Sequence, residues 1–330
     1  MYKIAKIIPW VVIPLIFVVI GVLMQGKSIA VLQPAGQIAA QQRDLLLYAT
    51  LLILIVVIPV FVLAFTIAWR YRETNPKSAE RYHPELDGDK RMEAVWWGIP
   101  LVIIGVLSVM IWTSSHNLDP YKPLASNKEA FRVQVVAMKY KWLFIYPEQD
   151  IASVNHLKIP VGRPVEFDVT SDAPMNSFWI PRLGGQVYAM AGMNTKLHLI
   201  ADQKGTFRGS SANISGEGFA DMHFSVEAIS PSELNAWARG VRQNNERLSV
   251  RSYSTLARPG TVESPRYYSL GTDNLYDTIL AKYMHPGGHE VTAPAKHSHK
   301  QSGGRQHDHG SQSADEYHSH TKVTPEKEHH

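Results

Sequence analysis

The residues of greatest chemical interest are five regularly spaced positions, Asn176, Ser211, Ser215, Phe219 and Met222. The last four belong to Gly209–Met222, a segment of small residues, and the first opens an aromatic stretch that ends in an Ile-Pro-Arg-Leu-Gly turn. Cysteines at the two serines and histidines at the amide and phenyl positions would make a site for two copper ions. Serine hydroxyls are hard and stay protonated at neutral pH, and a phenyl ring coordinates nothing. The sequence therefore keeps the frame of a metal site and cannot bind the metal.

The composition excludes several other kinds of site. The 330 residues include no cysteine, which rules out disulfides, thiolate metal sites, a cysteine nucleophile and a lipid-modified cysteine. The formal charge of +4 is small, and no basic face with interleaved aromatic residues points to nucleic acid. The apolar residues, 45% of the chain, are concentrated before residue 113 in uncharged runs that a soluble domain does not need.

The first uncharged run, Ile7–Met24, follows two lysines and leaves two interpretations open. It is long enough to cross a bilayer as a retained helix. It also has the form of a secretion signal, with Ser28-Ile29-Ala30 as a small-x-small cleavage site. That site favours the signal peptide, and both interpretations place the following residues outside the cytoplasm.

Two further runs predict membrane helices joined as a hairpin. Leu45–Trp69 contains no charged residue, and Ala94–Trp112 has tryptophans near both ends, as interfacial anchors do. The loop 70–92 between them carries six lysines and arginines, whereas 25–44 carries two. By the positive-inside rule the loop lies in the cytoplasm and residues 114–330 lie in the periplasm.

The pattern changes to short alternating segments over 127–230. Stretches such as Phe131–Val136 alternate apolar and polar residues between prolines and glycines, which predicts a β-sandwich or barrel. Beyond it, helices are predicted over Ser232–Arg247 and near Asp273–Met284. Residues 286–330 hold most of the histidines, and their low complexity predicts disorder.

Three segments resemble a known family. They are LQPAGQI at 32–38, KWLFIYPEQ at 141–149 and MNSFWIPRLGGQVYAMAGM at 175–193. Together with the order of a two-span hairpin and a β-domain, they are similar to subunit II of the haem–copper respiratory oxidases, and in particular to the ubiquinol (cytochrome bo-type) branch. The resemblance covers about residues 30–285.

The resemblance implies an α+β membrane protein. A two-helix transmembrane hairpin is followed by a cupredoxin-like Greek-key β-sandwich that lacks copper, with short C-terminal helices and a disordered His-rich tail. The expected units are a signal peptide or extra membrane helix at 1–30, the hairpin at 31–126, the periplasmic domain at 127–230, the helical extension at 231–285 and the tail at 286–330.

In the copper-binding branch of the family, the ligand positions correspond to Asn176, Ser211, Asn213, Ser215, Phe219 and Met222. Only the methionine retains the family's residue type, and core packing is its favoured role. Without copper, the resemblance implies that ubiquinol replaces cytochrome c as the electron donor. We expect no cofactor in this chain, and the haems and copper in subunit I. Neither predicted span contains a histidine that could ligate a haem.

Other residues have two possible roles each. The resemblance puts Glu93 at the mouth of a proton channel of subunit I. Alternatively, Glu93 is an acidic residue in the first turn of a helix capped by Asp89, where its negative charge interacts favourably with the helix dipole. Arg182 either pairs with carboxylates of subunit I or points to water.

Aromatic and histidine groups are also ambiguous. Trp142, Phe144 and Tyr146 form an aromatic patch that is the electron entry in the copper-binding branch, but packing is the favoured role here. In the tail, a weak metal site could form from His297, His299, His307 and His309, although unspecific solvation is favoured.

The expected function is that of subunit II of a proton-pumping ubiquinol oxidase in a bacterial cytoplasmic membrane. Expected partners are subunit I, the smaller subunits III and IV, membrane lipids, and ubiquinol as the substrate of the complex. Two alternatives remain: a cytochrome c oxidase subunit II, which the missing ligands disfavour, and a membrane-tethered periplasmic copper carrier that works through its His-rich tail.

Overall fold

A computed structural model of the chain describes residues 29–72, 74–75, 88–243, 246–262, 264–272 and 274–284. The first apolar run, with its signal-peptide and extra-helix interpretations, lies outside the described residues. So do the His-rich tail and the four histidines proposed there as a weak metal site.

Two long helices come first, α1 (Gln37–Arg70) and α2 (Lys90–Asn117). Their most apolar stretches have mean hydropathies of 3.2 and 2.3, and both helices are long enough to cross a membrane. The predicted hairpin is confirmed, and both helices extend beyond the predicted spans at each end. The first turn of α1 is helical because it packs on the β-domain, where Ile38 and Ala39 are buried. Most apolar side chains in the rest of α1 and in α2 are exposed and none is buried, as in lipid-facing or subunit-facing helices.

Twelve strands follow among the described residues. They are β1 (Phe131–Met138), β2 (Lys141–Tyr146), β3 (Ile151–Val154), β4 (His156–Pro160), β5 (Val165–Ser171), β6 (Asn176–Trp179), β7 (Gln186–Ala189), β8 (Thr195–Leu199), β9 (Gly205–Ser211), β10 (His223–Ile229), β11 (Arg247–Leu248) and β12 (Arg266–Leu270). One sheet has the order β11-β12-β3-β2-β1-β5-β8 and the other β4-β10-β9-β6-β7. The predicted β-sandwich is confirmed.

The main core lies between the two sheets. Alternate residues of each strand point inward, so that Val133 and Phe167 of one sheet share a buried cluster with Phe178 and Phe224 of the other. The rings of Phe178 and Phe224 stack with centroids 5.4 Å apart. This aromatic centre supports the ends of β6, β9 and β10, where the copper-site positions lie.

The residues after 230 pack on the sandwich in two places, since those of 231–242 join the main core and those from 248 onward cover the outer face of the seven-stranded sheet. We call residues 231–284 the extension; it contains β11, β12 and three helices, α3 (Pro231–Arg242), α4 (Val250–Leu256) and α5 (Leu275–Ala281). A second buried cluster joins Val136 and Leu143 of the sheet to Tyr253 and Ile279 of the extension. Because β12 pairs with β3, the extension also contributes strands to the sheet that it covers.

The helix predictions in this region need correction. The helix predicted over Ser232–Arg247 begins at Pro231, where Ser230 and Glu233 form a capping box, and ends at Arg242. Its predicted last residue instead belongs to β11. The second predicted helix is shorter than expected, and α4 with its serine cap was not predicted.

Candidate functional site

Three strand ends bring the copper-site positions together. Asn176 begins β6, Ser211 ends β9, and Met222 directly precedes β10. Phe178 of β6 pairs with Ser211 across the sheet, and the Ser211 amide donates to the carbonyl of Met222 at 3.0 Å. We call the six positions 176, 211, 213, 215, 219 and 222 the copper-site frame. Sequence spacing predicted five of these positions, the resemblance to the oxidase family added Asn213, and the strands make most of the set contiguous.

Hydrogen bonds between small polar side chains occupy the centre of the frame. Ser211 Oγ donates to Asn176 Oδ1 at 2.8 Å, and both side chains are buried. The amide of Asn176 donates in turn to the carbonyl of Pro174 at 2.9 Å. Asn213 Nδ2 donates to the carbonyl of Met175 at 2.9 Å, so the loop after β9 is fastened to the segment before β6. These bonds satisfy polar groups that would otherwise be buried without partners.

The rest of the frame is packed rather than polar. Met222 lies in the main core with 1% of its surface exposed, in keeping with the core role favoured for it. Ser215 and Phe219 are half-buried in the loop and its short 3₁₀ turn, Glu217–Asp221. The ring of Tyr140 lies directly on Gly218, so close that a Cβ there would collide with the ring.

The residues present do not fit a copper centre. Serine and asparagine oxygens are already used in hydrogen bonds to one another, and they are hard ligands where copper prefers thiolate and imidazole. Within the described part of the chain, no group of three or more His, Cys, Asp or Glu side chains is arranged to hold a metal ion. The frame is therefore a hydrogen-bonded and packed junction of three strands.

The predicted aromatic patch lies inside the sandwich. Trp142, Phe144 and Tyr146 all belong to β2 and have no exposed surface. Trp142 and Phe144 each lie against both Phe178 and Phe224, with centroids 5.1–6.3 Å apart. These rings form part of the core and offer no surface to a soluble partner.

Glu93 lies in the first turn of α2 and is exposed. The N-cap of that helix is Asp89, whose carboxylate accepts from the Arg91 amide at 2.9 Å. A Cβ at Gly88 would collide with Glu93 Oε1, so the glutamate carboxylate folds back over the residue that precedes the cap. The helix thus has its own cap, and Glu93 is not needed for that purpose.

A second site, which the sequence did not reveal as one, fastens α1 to the β-domain. The segment 33–39 lies against 182–184 and 200–202, and we call this contact the joint. Backbone hydrogen bonds join Ala35 N to Arg182 O at 2.7 Å, Asp202 N to Ala35 O at 2.9 Å and Ala39 N to Leu183 O at 3.1 Å.

The joint requires a residue without a side chain at its centre. A Cβ on Gly36 would collide with the backbone carbonyl oxygen of Ile200. Arg182 donates from Nε to the carbonyl of Gln33 at 2.9 Å, and its guanidinium lies 5.0 Å from the centre of the Phe207 ring. In this structure Arg182 therefore serves the joint itself.

The extension is also held by one carboxylate, which directly follows β5. Asp172, with 2% of its side chain exposed, accepts hydrogen bonds from Tyr253 Oη at 2.7 Å, Lys282 Nζ at 2.6 Å and Tyr283 Oη at 2.5 Å. Burial, and then the charge of Asp172, raise the pKa of the Tyr253 hydroxyl far above its ordinary value, so it remains a donor. No local sequence pattern predicts this cluster, because its donors lie about 80 and 110 residues further along the chain.

Two family models match the chain. The periplasmic domain of cytochrome c oxidase subunit II matches residues 133–229, and the COX aromatic rich motif matches residues 242–287. These ranges correspond to most of the sandwich and most of the extension.

Curated relatives match over most of their length. Cytochrome bo(3) ubiquinol oxidase subunit 2 of Pseudomonas aeruginosa is 44% identical over 278 residues, 84% of this chain and 83% of that protein. Ubiquinol oxidase subunit 2 of Acetobacter aceti is 45% identical, over 80% of this chain and 85% of that protein. Quinol oxidase subunit 2 of Bacillus subtilis is 39% identical, over 79% of this chain and 81% of that protein.

Proposed function

This chain belongs to the family of ubiquinol oxidase subunit 2, and we propose that it serves as the second subunit of a proton-pumping ubiquinol oxidase of the aerobic respiratory chain. The observation that carries the proposal is the 44% identity over 84% of the chain, combined with a copper-site frame whose residues cannot bind copper. The complex is an oxidoreductase, and this subunit bears none of its redox groups.

The electron route follows from the chemistry of the frame. Because Ser211 and Asn176 bond to each other and no thiolate or imidazole is present in the frame, it cannot accept electrons from a soluble cytochrome. Ubiquinol dissolved in the membrane is the donor, and it reacts in the catalytic subunit I, which carries the haems and copper. Two ubiquinols release four electrons and four protons in total, and the four electrons, with four protons taken up by the enzyme, reduce one O₂ to two waters.

The chain's own contribution is structural. It is an inner-membrane protein whose helices α1 and α2 form a two-pass anchor, with the loop 70–92 in the cytoplasm and residues 114–330 in the periplasm. The joint holds the β-domain rigidly to α1, so that both can rest on subunit I together. Subunits III and IV complete the complex.

Glu93 is the residue through which this subunit takes part in proton uptake. Its carboxylate is exposed at the end of α2 that the positive-inside rule assigns to the cytoplasm. Since Asp89 already caps the helix, the glutamate is available for exchange with cytoplasmic protons. A carboxyl at a membrane interface can relay protons into a partner's channel when the partner partly buries it.

Purification of the full chain from membranes tests the main proposal. We expect it to co-purify with a haem-containing, multispanning partner in a complex that oxidises ubiquinol. All of the copper should remain with that partner when this chain is stripped away. Copper bound stoichiometrically to the separated β-domain, or a stable isolated chain loaded with copper, would favour the copper carrier instead. The relatives described above are quinol oxidase subunits and lend that alternative no support.

The Glu93 role is tested in the assembled oxidase. Glu93→Ala should lower turnover and proton pumping, whereas Asp89→Ala removes the helix cap alone and should leave pumping intact. Unaltered turnover and pumping in Glu93→Ala would remove the proton-uptake role. Equal losses in both variants would show that helix capping, and not proton exchange, explains the effect.

A further inference from the structure

A cleft open to solvent lies beside the C-terminal half of α3, away from the frame and the joint. Its volume is about 480 Å³, within the range of small-molecule sites. It is lined by Lys158, Trp237, Gly240, Val241, Gln243 and Tyr267. We call it the α3 pocket. Neither the electron route nor the anchoring role proposed above uses it.

The aromatic walls of the pocket are held in place from behind. Trp237 lies edge-on to the buried ring of Tyr146 at 5.4 Å and edge-on to Tyr267 at 6.0 Å. Lys158 Nζ lies 5.5 Å from the centre of the Trp237 ring. Since the tryptophan is fixed by contacts on several sides, the pocket needs little ordering before a ligand enters.

The polar groups at the pocket balance one another. Lys158 Nζ pairs with Glu227 Oε2 at 2.8 Å, and His156 Nε2 lies 3.0 Å from Glu227 Oε1. Burial lowers the pKa of His156, which keeps its imidazole neutral in the periplasm. Lys158 is the one charged residue of the lining, and Glu227, which lies outside the lining, already neutralises it. The lining therefore offers no unpaired charge and suits an uncharged ligand that can exchange hydrogen bonds with its polar groups.

Gly240 provides an independent sign that the pocket is kept open. It lies inside α3, where glycine costs about 1 kcal/mol relative to alanine. No atom lies within 4 Å of a Cβ built on it, so no close contact requires the missing side chain. Because Gly240 has no side chain, the mouth of the pocket stays unobstructed.

We propose that the α3 pocket binds a small uncharged molecule with a hydroxylated ring, such as a sugar unit. The apolar face of such a ring would lie against Trp237 and Tyr267, whose rings offer apolar surface with some polar character. Its hydroxyls would bond to the Gln243 amide and the Lys158 ammonium, both of which line the pocket. The last carbonyls of α3, which have no partner within the helix, add further acceptors.

The test is saturation-transfer NMR on the full-length chain in lipid nanodiscs, because glycoside detergents would compete for the pocket. The probes are glucose and N-acetylglucosamine, with glucuronate and glucosamine as charged comparators. We expect transfer to the two neutral sugars, and at least about tenfold weaker binding of the charged pair. Absence of transfer to either neutral sugar, or equal binding of a charged one, would overturn the proposal.

Two leucine substitutions locate the binding. Gly240→Leu adds a side chain at the pocket, where its Cβ meets no atom within 4 Å, and should weaken neutral-sugar binding at least about tenfold. Asn235→Leu adds the same side chain on another side of the same helix and should leave binding unchanged. Gln243→Ala, an exposed substitution, should weaken binding less than Gly240→Leu does. Sugar binding that survives Gly240→Leu in a folded chain would show that the site lies elsewhere.

Discussion

Two regions carry much of the sequence resemblance to the family, and they are stabilised in different ways. In the joint, backbone groups of the segment 33–39 bond directly to backbone groups of the β-domain, with Gly36 against the Ile200 carbonyl. In the copper-site frame, side chains bond to side chains, as between Ser211 and Asn176. In the joint, the distance between two backbones limits which residues fit. In the frame, the structure depends on which side chains are present.

Because of this difference, the metal chemistry possible at the frame depends on side-chain identity, whereas the joint depends on backbone geometry. A side-chain ligand can be exchanged for a side chain that hydrogen-bonds instead, and the strands around it remain paired. A backbone contact has no side chain to exchange, so the residue at its centre is dictated by geometry. Residue type at the frame therefore reports on function, whereas residue type at the joint reports on assembly.

Gly36→Ala should have the largest effect. The added Cβ would meet a backbone carbonyl that cannot rotate away, and overpacking of this kind costs about 3 kcal/mol. We expect the chain to lose the fixed contact between α1 and the β-domain. The amount of chain that co-purifies with the catalytic partner should fall sharply, and thermal unfolding of the complex should start at a lower temperature.

The matched control is Gly240→Ala. Its added Cβ meets no atom within 4 Å, so it should unfold at or slightly above the temperature of the unmodified chain. If Gly36→Ala behaves like this control, the joint is looser than the backbone contacts imply and the contrast between the two regions fails.

Asp172→Ala should rank second and tests whether the frame is held from outside. The substitution leaves two tyrosine hydroxyls and a lysine without their shared acceptor, next to the segment that leads into β6. Loss of a buried charged acceptor costs about 3 kcal/mol at most at such a site, because Lys282 remains largely solvated. Hydrogen exchange at residues 173–177 should rise as the unfolding temperature falls.

Tyr253→Phe separates the cluster from the fold of the extension. It removes one hydroxyl and keeps the ring in the second core, so its effect should be about a third of that of Asp172→Ala. An effect as large as that of the aspartate variant would mean that the extension is held by this single hydroxyl and not by the carboxylate.

Local sequence patterns predicted those helices and strands whose pattern of buried and exposed residues can be read from neighbouring positions in the chain. The two apolar runs predicted α1 and α2, and alternation predicted strands such as β10, which has one face buried and one partly exposed. The spacing of Ser211 and Met222 predicted a frame, and the structure brings both beside Asn176.

Nonlocal packing accounts for what the sequence did not reveal. All six residues of β2 are buried, because the sandwich core covers one face and the extension covers the other. Without an exposed face, KWLFIY shows no alternation, and its aromatic residues could equally have formed a surface patch. The joint and the Asp172 cluster unite residues separated by about 80 to 170 positions, and no local pattern reports such pairings.

Asn176→Ala should have a moderate effect and tests the frame directly. The substitution leaves the buried Ser211 hydroxyl only the more distant Asn213 carbonyl as acceptor, at 3.2 Å, and removes the bond to Pro174, at a cost of about 1–3 kcal/mol. Ser215→Ala, at a half-buried position of the same frame, should cost about 0.5 kcal/mol or less. Thermal unfolding measures both.

Ubiquinol oxidase turnover distinguishes structure from chemistry in the same two variants. If the frame is structural, the fraction of Asn176→Ala that assembles should turn over as fast as the unmodified complex. A fully assembled variant with strongly reduced turnover would mean that the frame takes part in the reaction, and the contrast with the joint would have to be abandoned.

Gly218→Ala should have a much smaller effect than Gly36→Ala, although its added Cβ also meets a close neighbour. The neighbour is the ring of Tyr140, a half-buried side chain at the surface, and it can turn toward solvent where the Ile200 carbonyl cannot. The cost should be about 1 kcal/mol, that of moving one side chain from its preferred rotamer. In a double-mutant cycle with Tyr140→Ala, removal of the ring should make Gly218→Ala nearly neutral. If Gly218→Ala remains costly without the ring, the 3₁₀ turn itself excludes a side chain, and the frame is then as dependent on backbone geometry as the joint.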